Sequence, residues 1–177
     1  MPTITLYHGT AHAFDAFRLT RDSRGEPNAA LGIHLTEDPS LAASYALRAA
    51  RDLKATEPIV LTVEARLERV GLTTCQVDFF GREPDGAGPR TTHHDFMAAR
   101  ERLMSLGFDA VATDIAHDDL KGAWVVFDPA RLAIMARDSA DDVLSRDAEP
   151  PLQDMPTFET IEILSPSLPK RGDLRLP

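Results

Sequence analysis

Short segments rich in β-branched and apolar residues outnumber the helical patterns in this 177-residue chain, and this ratio constrains the fold most strongly. Segments of this kind, bounded by turn-forming residues, are typical of β-strands. Five strands are predicted, at Thr3–Tyr7, Gly32–Thr36, Pro58–Ala65, Ala110–Thr113 and Ala123–Phe127. We therefore expect one mixed α+β domain in which a few helices pack on a sheet.

Two segments have the apolar spacing of helices. The first runs from Pro39 to Leu53, with Glu37 or Asp38 as its N-terminal cap and the proline in its first turn. The second runs from about His94 to Leu106 and ends at Gly107, a common helix stop. Its predicted inward-facing residues are Phe96, Met97, Ala99, Leu103 and Leu106. The glycine- and proline-rich segment 81–89, which lies between the two helices, is predicted to be a loop.

The composition changes after Arg137, which divides the chain into a predicted domain at 1–137 and an acidic, proline-rich extension at 138–177. The extension carries a net charge of −5 out of the total of −9. A short acidic helix is expected at 138–145. The apolar residues at 158–164 are sufficient for a strand or a docking segment, so we do not expect full disorder. A segment of this kind could also cover a cleft as a lid.

Several function classes lack their sequence signatures. Neither a Gly-x-x-x-x-Gly-Lys nor a Gly-x-Gly-x-x-Gly motif is present, which argues against ordinary nucleoside triphosphatases and Rossmann dehydrogenases. Histidines next to acids occur at 93–95 and 117–119, but adjacent histidines point in different directions and neither group has a His-x-x-x-His spacing. We therefore expect no metal site. The single cysteine, Cys75, cannot form an intramolecular disulfide.

Net charge and hydropathy bear on the protein's partners and its location in the cell. A net charge of −9 disfavours a broad electrostatic contact with nucleic acid. No apolar run approaches the roughly 18 residues of a membrane span, and the start shows no basic segment followed by an apolar one. We expect a cytoplasmic protein that does not enter a membrane, or one delivered into a target cell by a route that needs no signal peptide.

Two motifs suggest a nucleotide pocket. In the segment Leu6-Tyr7-His8-Gly9-Thr10, the glycine allows a ligand to approach the backbone, and the histidine can hold ribose hydroxyls with one ring nitrogen. The second motif runs from Gly32 to Tyr45, and the tyrosine ring could stack on a flat heterocycle. The simpler interpretations are that His8 is an ordinary hydrogen-bonded histidine and that Tyr45 belongs to the apolar core of its helix.

At these motifs the sequence resembles the ADP-ribosyltransferase superfamily, in its diphtheria-toxin-like and poly(ADP-ribose)-polymerase-like branch. The resemblance covers roughly residues 4 to 136 and implies split, mixed or mostly antiparallel β-sheets with flanking helices. It implies that NAD, the substrate, is bound by His8, Gly9 and Thr10. It also implies that nicotinamide lies between a strand residue and Tyr45, where His34 stands in place of the family's first tyrosine.

The family's catalytic glutamate has no counterpart at its usual position. The closing strand motif reads Ala123-Trp124-Val125-Val126-Phe127-Asp128-Pro129, with alanine where the glutamate is expected. A preorganised charge of this kind is worth about 100- to 1,000-fold in rate. Two segments could provide a substitute: the one before the last strand, with Asp118 and Asp119, and the pair Glu37 and Asp38, for which helix capping is the simpler role. His34 is a further catalytic candidate because its charge changes near neutral pH.

Three functions follow from the resemblance. The leading expectation is a mono-ADP-ribosyltransferase-like protein, such as a bacterial or phage toxin or effector, that transfers ADP-ribose to a target protein or, with less support, to nucleic acid. The alternatives are a non-catalytic binding domain of the same fold, which has lost turnover at Ala123, and an NAD glycohydrolase that uses water as acceptor.

Overall fold

The computed structural model describes residues 1–19, 27–55, 57–73, 92–113, 122–146, 156–161, 163 and 164. Within these ranges the chain forms helices and a single eight-stranded mixed sheet, which confirms the α+β class. The strands are β1 (Thr3–Thr10), β2 (Ile33–Thr36), β3 (Ile59–Arg66), β4 (Arg69–Thr73), β5 (Ala110–Thr113), β6 (Ala123–Val126), β7 (Leu132–Ser139) and β8 (Thr157–Thr160). The helices are α1 (Pro39–Leu53), α2 (His93–Ser105) and α3 (Ala140–Leu144), with 3-10 turns at Pro27–Ala30 and Pro129–Arg131.

The strand order is β7-β3-β1-β2-β6-β5-β4-β8. Most neighbouring pairs are antiparallel, and only β4 runs parallel to its neighbours β5 and β8. β1 and β3 pair along all eight residues of each strand. In contrast, β1 and β2 share one residue pair, Tyr7 with Thr36. The sheet therefore has two halves, β7-β3-β1 and β2-β6-β5-β4-β8, which meet at a seam between β1 and β2.

The sheet must also curl back on itself. Arg66 ends β3 and Arg69 begins β4, so three Cα steps, about 11 Å at most, join the two strands. In the strand order these two strands lie five spacings apart, which would be about 24 Å in a flat sheet. Because the connection is too short for that distance, the two halves of the sheet face one another. The largest buried cluster lies inside the curl and includes Leu6, Leu61 and Trp124.

Asp109 closes the corner between β3 and β4. Its Oδ2 accepts hydrogen bonds from the backbone N–H groups of Glu68 at 2.7 Å and Arg69 at 3.1 Å. Its Oδ1 pairs with Arg131 Nη2 at 2.8 Å, and Arg131 also donates to the carbonyl oxygen of Arg66. A buried carboxylate thus satisfies backbone donors that a sharp corner would otherwise leave without partners.

Helices cover the outer faces of both halves. On one half, α1 packs its small residues Ala42 and Ala46 on β1 and β3, next to α3. On the other half, α2 buries Phe96 and Leu103 in a second cluster. α1 approaches β1 very closely, since a Cβ on Gly9 would lie 1.9 Å from the carbonyl oxygen of Ala42. Glycine is therefore required at this position for packing alone.

The described part of the C-terminal extension belongs to the same sheet and core. β7 crosses the predicted boundary at Arg137, and the short acidic helix forms as α3. The predicted strand near Phe158 forms as β8, which pairs with β4, while Ile161 and Ile163 lie in the cluster around α2. The predicted loop at 81–89 lies outside the described residues.

Most predicted elements are confirmed within one to three residues at each end. The first helix has the predicted bounds, and the second begins and ends one residue early. Two strands, β4 and β7, were not predicted. β4 is five residues long and contains Gly71, and β7 has a single β-branched residue, Ile134. The strand signal of each is therefore weak, and pairing with neighbouring strands determines their conformation.

Candidate functional site

The two predicted nucleotide motifs meet at the seam between β1 and β2. Beyond the single backbone pair of Tyr7 with Thr36, the His8 side chain connects the strands: its Nδ1 donates to the carbonyl oxygen of His34 at 2.8 Å. The two motifs are 26 residues apart in sequence. The structure therefore joins them by a side-chain-to-backbone bond at the point where the sheet divides.

Burial favours the neutral form of both imidazoles. Burial lowers the pKa of His8, and the bond to the His34 carbonyl raises it by less. Burial also lowers the pKa of His34, against the effect of a 3.0 Å bond from its Nε2 to the Asn28 carbonyl oxygen. Because a carbonyl can only accept, neutral His8 has its proton on Nδ1, and its Nε2 carries a lone pair.

The two rings lie on opposite faces of the sheet. Successive side chains of a strand alternate between faces, and His8 has the parity of Leu6, inside the curl. Its ring makes edge contacts with the rings of Phe14 and Phe17, at centroid distances of 5.9 and 5.3 Å. His34 lies on the outer face, where it reaches Asn28 in the 3-10 turn. The seam therefore presents one imidazole to each side.

Gly9 and Thr10 complete the first motif. Gly9 is adjacent to α1, so its lack of a side chain already has a structural cause. The Thr10 hydroxyl donates to the His12 carbonyl oxygen at 3.0 Å and accepts from the His12 N–H at 3.3 Å. It stabilises the turn that follows β1.

Tyr45 lies on the surface of α1. Its side chain is 45% exposed, so the simpler interpretation, that it belongs to the apolar core of its helix, does not hold, while the small residues beside it, Ala42 and Ala46, are buried. α1 packs on the outer face of the sheet, the face that also carries His34. Tyr45 and His34 therefore share one side of the sheet, and the His8 ring is on the other.

Glu37 and Asp38, the two acidic residues after β2, make different contacts. Asp38 is the N-cap of α1 and accepts from the N–H groups of Ser40 at 2.8 Å and Leu41 at 3.3 Å, as predicted for capping. Glu37 does not cap. Its Oε1 accepts from the indole Nε1 of Trp124 at 2.7 Å, and its N–H donates to the carbonyl oxygen of Gly122 at 3.0 Å.

Glu37 also packs against Gly122, the residue that precedes β6. Gly122 has φ = +72°, and a Cβ there would lie 3.2 Å from the Cβ of Glu37. Ala123 follows, half-buried, and pairs with Thr36. The other predicted carboxylates, Asp118 and Asp119, lie outside the described residues. Glu37 is therefore the acidic side chain that the described structure places beside the start of β6.

Three aromatic residues near these motifs were not predicted: Phe14 and Phe17 against His8, and Trp124 against Glu37. The spacing of Phe14 and Phe17 directly after β1 was an available signal. No local pattern links Glu37 to Trp124, which are 87 residues apart.

A cavity of about 390 Å³ lies elsewhere, at the β3–β4 corner. Arg69, Phe108, Asp109 and Arg131 contribute to its lining, and none of the predicted NAD-binding residues does. Its arginines already pair with carboxylates, Arg131 with Asp109 and Arg69 with Glu159. The cavity is therefore part of the closure of the sheet.

Two further findings concern the described ranges only. They contain no group of three His, Cys, Asp or Glu side chains close enough to bind a metal ion. None of the helices within them combines the length and apolar character needed to cross a bilayer.

Comparison with known proteins adds no assignment, since no family model, no curated protein and no solved structure matches the chain.

Proposed function

We propose that this protein binds NAD at the seam between β1 and β2 and transfers ADP-ribose to a target protein. The observation that carries the proposal is the bond from His8 Nδ1 to the His34 carbonyl oxygen, at 2.8 Å. It joins the two motifs that resemble the ADP-ribosyltransferase superfamily at the seam, where β1 and β2 share one residue pair.

In this proposal the neutral His8 holds a ribose. With the proton on Nδ1, its Nε2 accepts a hydrogen bond from a ribose hydroxyl, while Phe14 and Phe17 fix the ring plane. The backbone of Gly9 binds the amide of nicotinamide, and Thr10 holds the turn beside it. NAD lies across the seam with the bond between ribose and nicotinamide at the seam itself, so that the ribose meets His8 on the inner side of the sheet and the nicotinamide ring reaches the outer side.

On the outer side, Tyr45 and His34 flank the nicotinamide ring. The exposed phenol of Tyr45 is free to stack, whereas His34 is held in place by Asn28. Burial lowers the pKa of His34 and so favours the neutral ring, which can stack without placing a cation beside the positively charged pyridinium of NAD. This is the physical reason why a histidine can replace a tyrosine at this position.

The acceptor that we propose is a protein. The net charge of −9 disfavours a nucleic acid acceptor, because the phosphate backbone would be repelled. The proposed setting is a bacterial or phage toxin or effector that acts in a cytoplasm, either where it is made or after delivery.

A second candidate is a binding domain of the same fold without turnover. The specific observation in its favour is Ala123, which stands half-buried opposite Thr36, where the resemblance calls for a glutamate. A third candidate, an NAD glycohydrolase, differs from the first in the acceptor alone.

Labelled NAD and a cell lysate distinguish the candidates. Labelled macromolecules support transfer, free ADP-ribose supports hydrolysis, and binding without release of nicotinamide supports the non-catalytic domain. The pocket itself is tested with His8→Asn, because the asparagine amide keeps the donor to the His34 carbonyl but loses the Nε2 acceptor. We expect NAD affinity to fall about tenfold, the equivalent of about 1.4 kcal/mol, since one hydrogen bond to a ribose is lost.

His12→Asn is the matched control, since His12 is exposed and only its backbone takes part in the described hydrogen bonds. If His8→Asn, His12→Asn and the unmodified protein bind NAD with equal affinity, the seam is not the NAD-binding site. Failure of the unmodified protein to bind NAD at millimolar concentration would refute the proposed function as a whole.

A further inference from the structure

We infer that Glu37 supplies the carboxylate that stabilises the ribose cation when nicotinamide leaves, in place of an acid at position 123. This inference rests on the proposed function, and it assigns the chemistry of that site to a residue on a different strand. It begins from the contact between the Glu37 carboxylate and Trp124, 2.7 Å from oxygen to nitrogen.

Three neighbours fix the position of Glu37. The indole of Trp124, itself 1% exposed, holds one carboxylate oxygen. The backbone N–H of Glu37 is bonded to the Gly122 carbonyl oxygen, which extends the β2–β6 ladder by one step. Asp38, the next residue, is the N-cap of α1. A side chain held in this way loses little conformational entropy when it binds a ligand, which is the condition for electrostatic preorganisation.

The described residues give the second carboxylate oxygen of Glu37 no hydrogen bond. Within the described ranges, the one hydrogen bond to the Glu37 carboxylate is that of Trp124, and it uses Oε1. Glu37 is also half-buried, so a bound ligand would contact it away from bulk water. Charge stabilisation is stronger in such a setting than at an exposed surface.

The location agrees with the proposed reaction. Glu37 is packed against Gly122, and Ala123 follows at the start of β6. Glu37 also has the parity of Leu35, whose side chain lies inside the curl, the face that carries His8. The carboxylate and the proposed ribose-binding imidazole therefore belong to the same face of the sheet, on neighbouring strands.

The chemical step uses the negative charge of Glu37. The bond between ribose C1′ and the nicotinamide nitrogen breaks, and its electron pair leaves with nicotinamide, which departs neutral. Positive charge develops on the ribose, close to the Glu37 carboxylate. The acceptor nucleophile forms the new bond to C1′ and gives its proton to Glu37, which passes it to solvent. The difference in charge between the ground state and the transition state is what makes the carboxylate catalytic.

Glu37→Gln tests this inference. The amide oxygen of glutamine can still accept from Trp124, so the structure is retained while the charge is lost. We expect kcat for nicotinamide release to fall about 100- to 1,000-fold. We expect NAD affinity to change less than about threefold, because the contribution of a preorganised charge lies in the transition state.

The fluorescence of Trp124 provides the structural readout, since it is the only tryptophan in the chain. An unchanged emission spectrum in Glu37→Gln shows that the indole contact persists. Glu101→Gln is the matched control, because Glu101 is exposed on α2 and the same charge is removed. We expect this control to keep the full rate.

The outcomes are distinguishable. If the unmodified protein releases nicotinamide and Glu37→Gln keeps more than about a third of its kcat, the inference is overturned while the proposed function stands. Loss of NAD affinity together with the rate in Glu37→Gln would also overturn it, in favour of a binding role. If the unmodified protein neither binds NAD nor releases nicotinamide, both proposals are overturned.

Discussion

Replacing Asp109 should reveal how the curled sheet is kept closed. In Asp109→Ala, the backbone N–H groups of Glu68 and Arg69 lose their acceptor at a buried corner, and Arg131 loses its ion-pair partner. Each unsatisfied donor costs about 1–3 kcal/mol, and an ion pair whose arginine is partly exposed contributes about 1 kcal/mol or less. We therefore expect a loss of about 3–5 kcal/mol in the free energy of unfolding.

Asp109→Asn separates these contributions. Its amide oxygen can still accept from the two backbone N–H groups, so only the ion pair with Arg131 is lost, at about 1 kcal/mol. The assay is urea unfolding followed by Trp124 fluorescence. With a slope of about 2 kcal/mol per M, the midpoint should fall by about 2 M in Asp109→Ala and by about 0.5 M in Asp109→Asn.

Asp52→Asn is the control, since Asp52 is exposed on α1 and its replacement removes the same charge. Its midpoint should stay within about 0.3 M of the unmodified protein. If Asp109→Ala and Asp109→Asn lowered the midpoint equally, the backbone bonds at the corner would contribute nothing and the argument for closure by Asp109 would be refuted.

Three further predictions concern stability. Gly9→Ala should lower the free energy of unfolding by about 2–3 kcal/mol or prevent folding, because the new Cβ would lie 1.9 Å from the Ala42 carbonyl oxygen, and urea midpoints measure this. The pKa values of His8 and His34 are lower in the folded protein than the value of 6.5 in the unfolded chain, so the unfolded chain binds more protons as the pH falls below 6.5. The free energy of unfolding should therefore be highest above pH 6.5 and decrease below it. Urea midpoints measured from about pH 7.5 to about pH 5.0 test this. Ile163→Ala should cost about 2–5 kcal/mol in the same assay, because its side chain is fully buried against α2.

Each of these predictions has its own control. For the first, Thr3→Ser changes an exposed residue of the same strand and should leave the midpoint unchanged. For the second, His12→Gln should keep the full pH dependence, whereas a histidine-to-glutamine change at 8 or 34 should reduce it; a flat pH profile in the unmodified protein would contradict the reasoning. For the third, Leu144→Ala alters a side chain that is 46% exposed, and an equal loss in both variants would mean that the C-terminal segment is not part of the core.

The sequence predicts the elements of this fold better than their arrangement. The bounds of α1 follow from its cap and its alanine-rich face, because both are local features. The capping role of Asp38 is likewise confirmed. β7 could not be found in the same way, since its strand conformation comes from pairing with β3 and not from its own composition.

At the candidate site, too, local features were predictable from the sequence and long-range contacts were not. The bond between His8 and the His34 backbone agrees with the expectation that the two motifs lie together, although the placement of the His8 and Tyr45 rings on different sides of the sheet was not predictable from spacing. The Glu37–Trp124 contact depends on the β2–β6 register, which no local pattern encodes. Assignment of these residues to NAD remains a prediction, as does any role for Asp118 and Asp119.

The position of β8 affects how the chain reaches its native state. β4 is complete at Thr73, but its parallel partner β8 begins at Thr157, so more than eighty residues must be synthesised before the two can pair. Until then Ile161 and Ile163 cannot fill the space against α2. During translation the nascent protein would therefore expose apolar surface on that helix, and a chain stalled before Thr157 would be a substrate for chaperones.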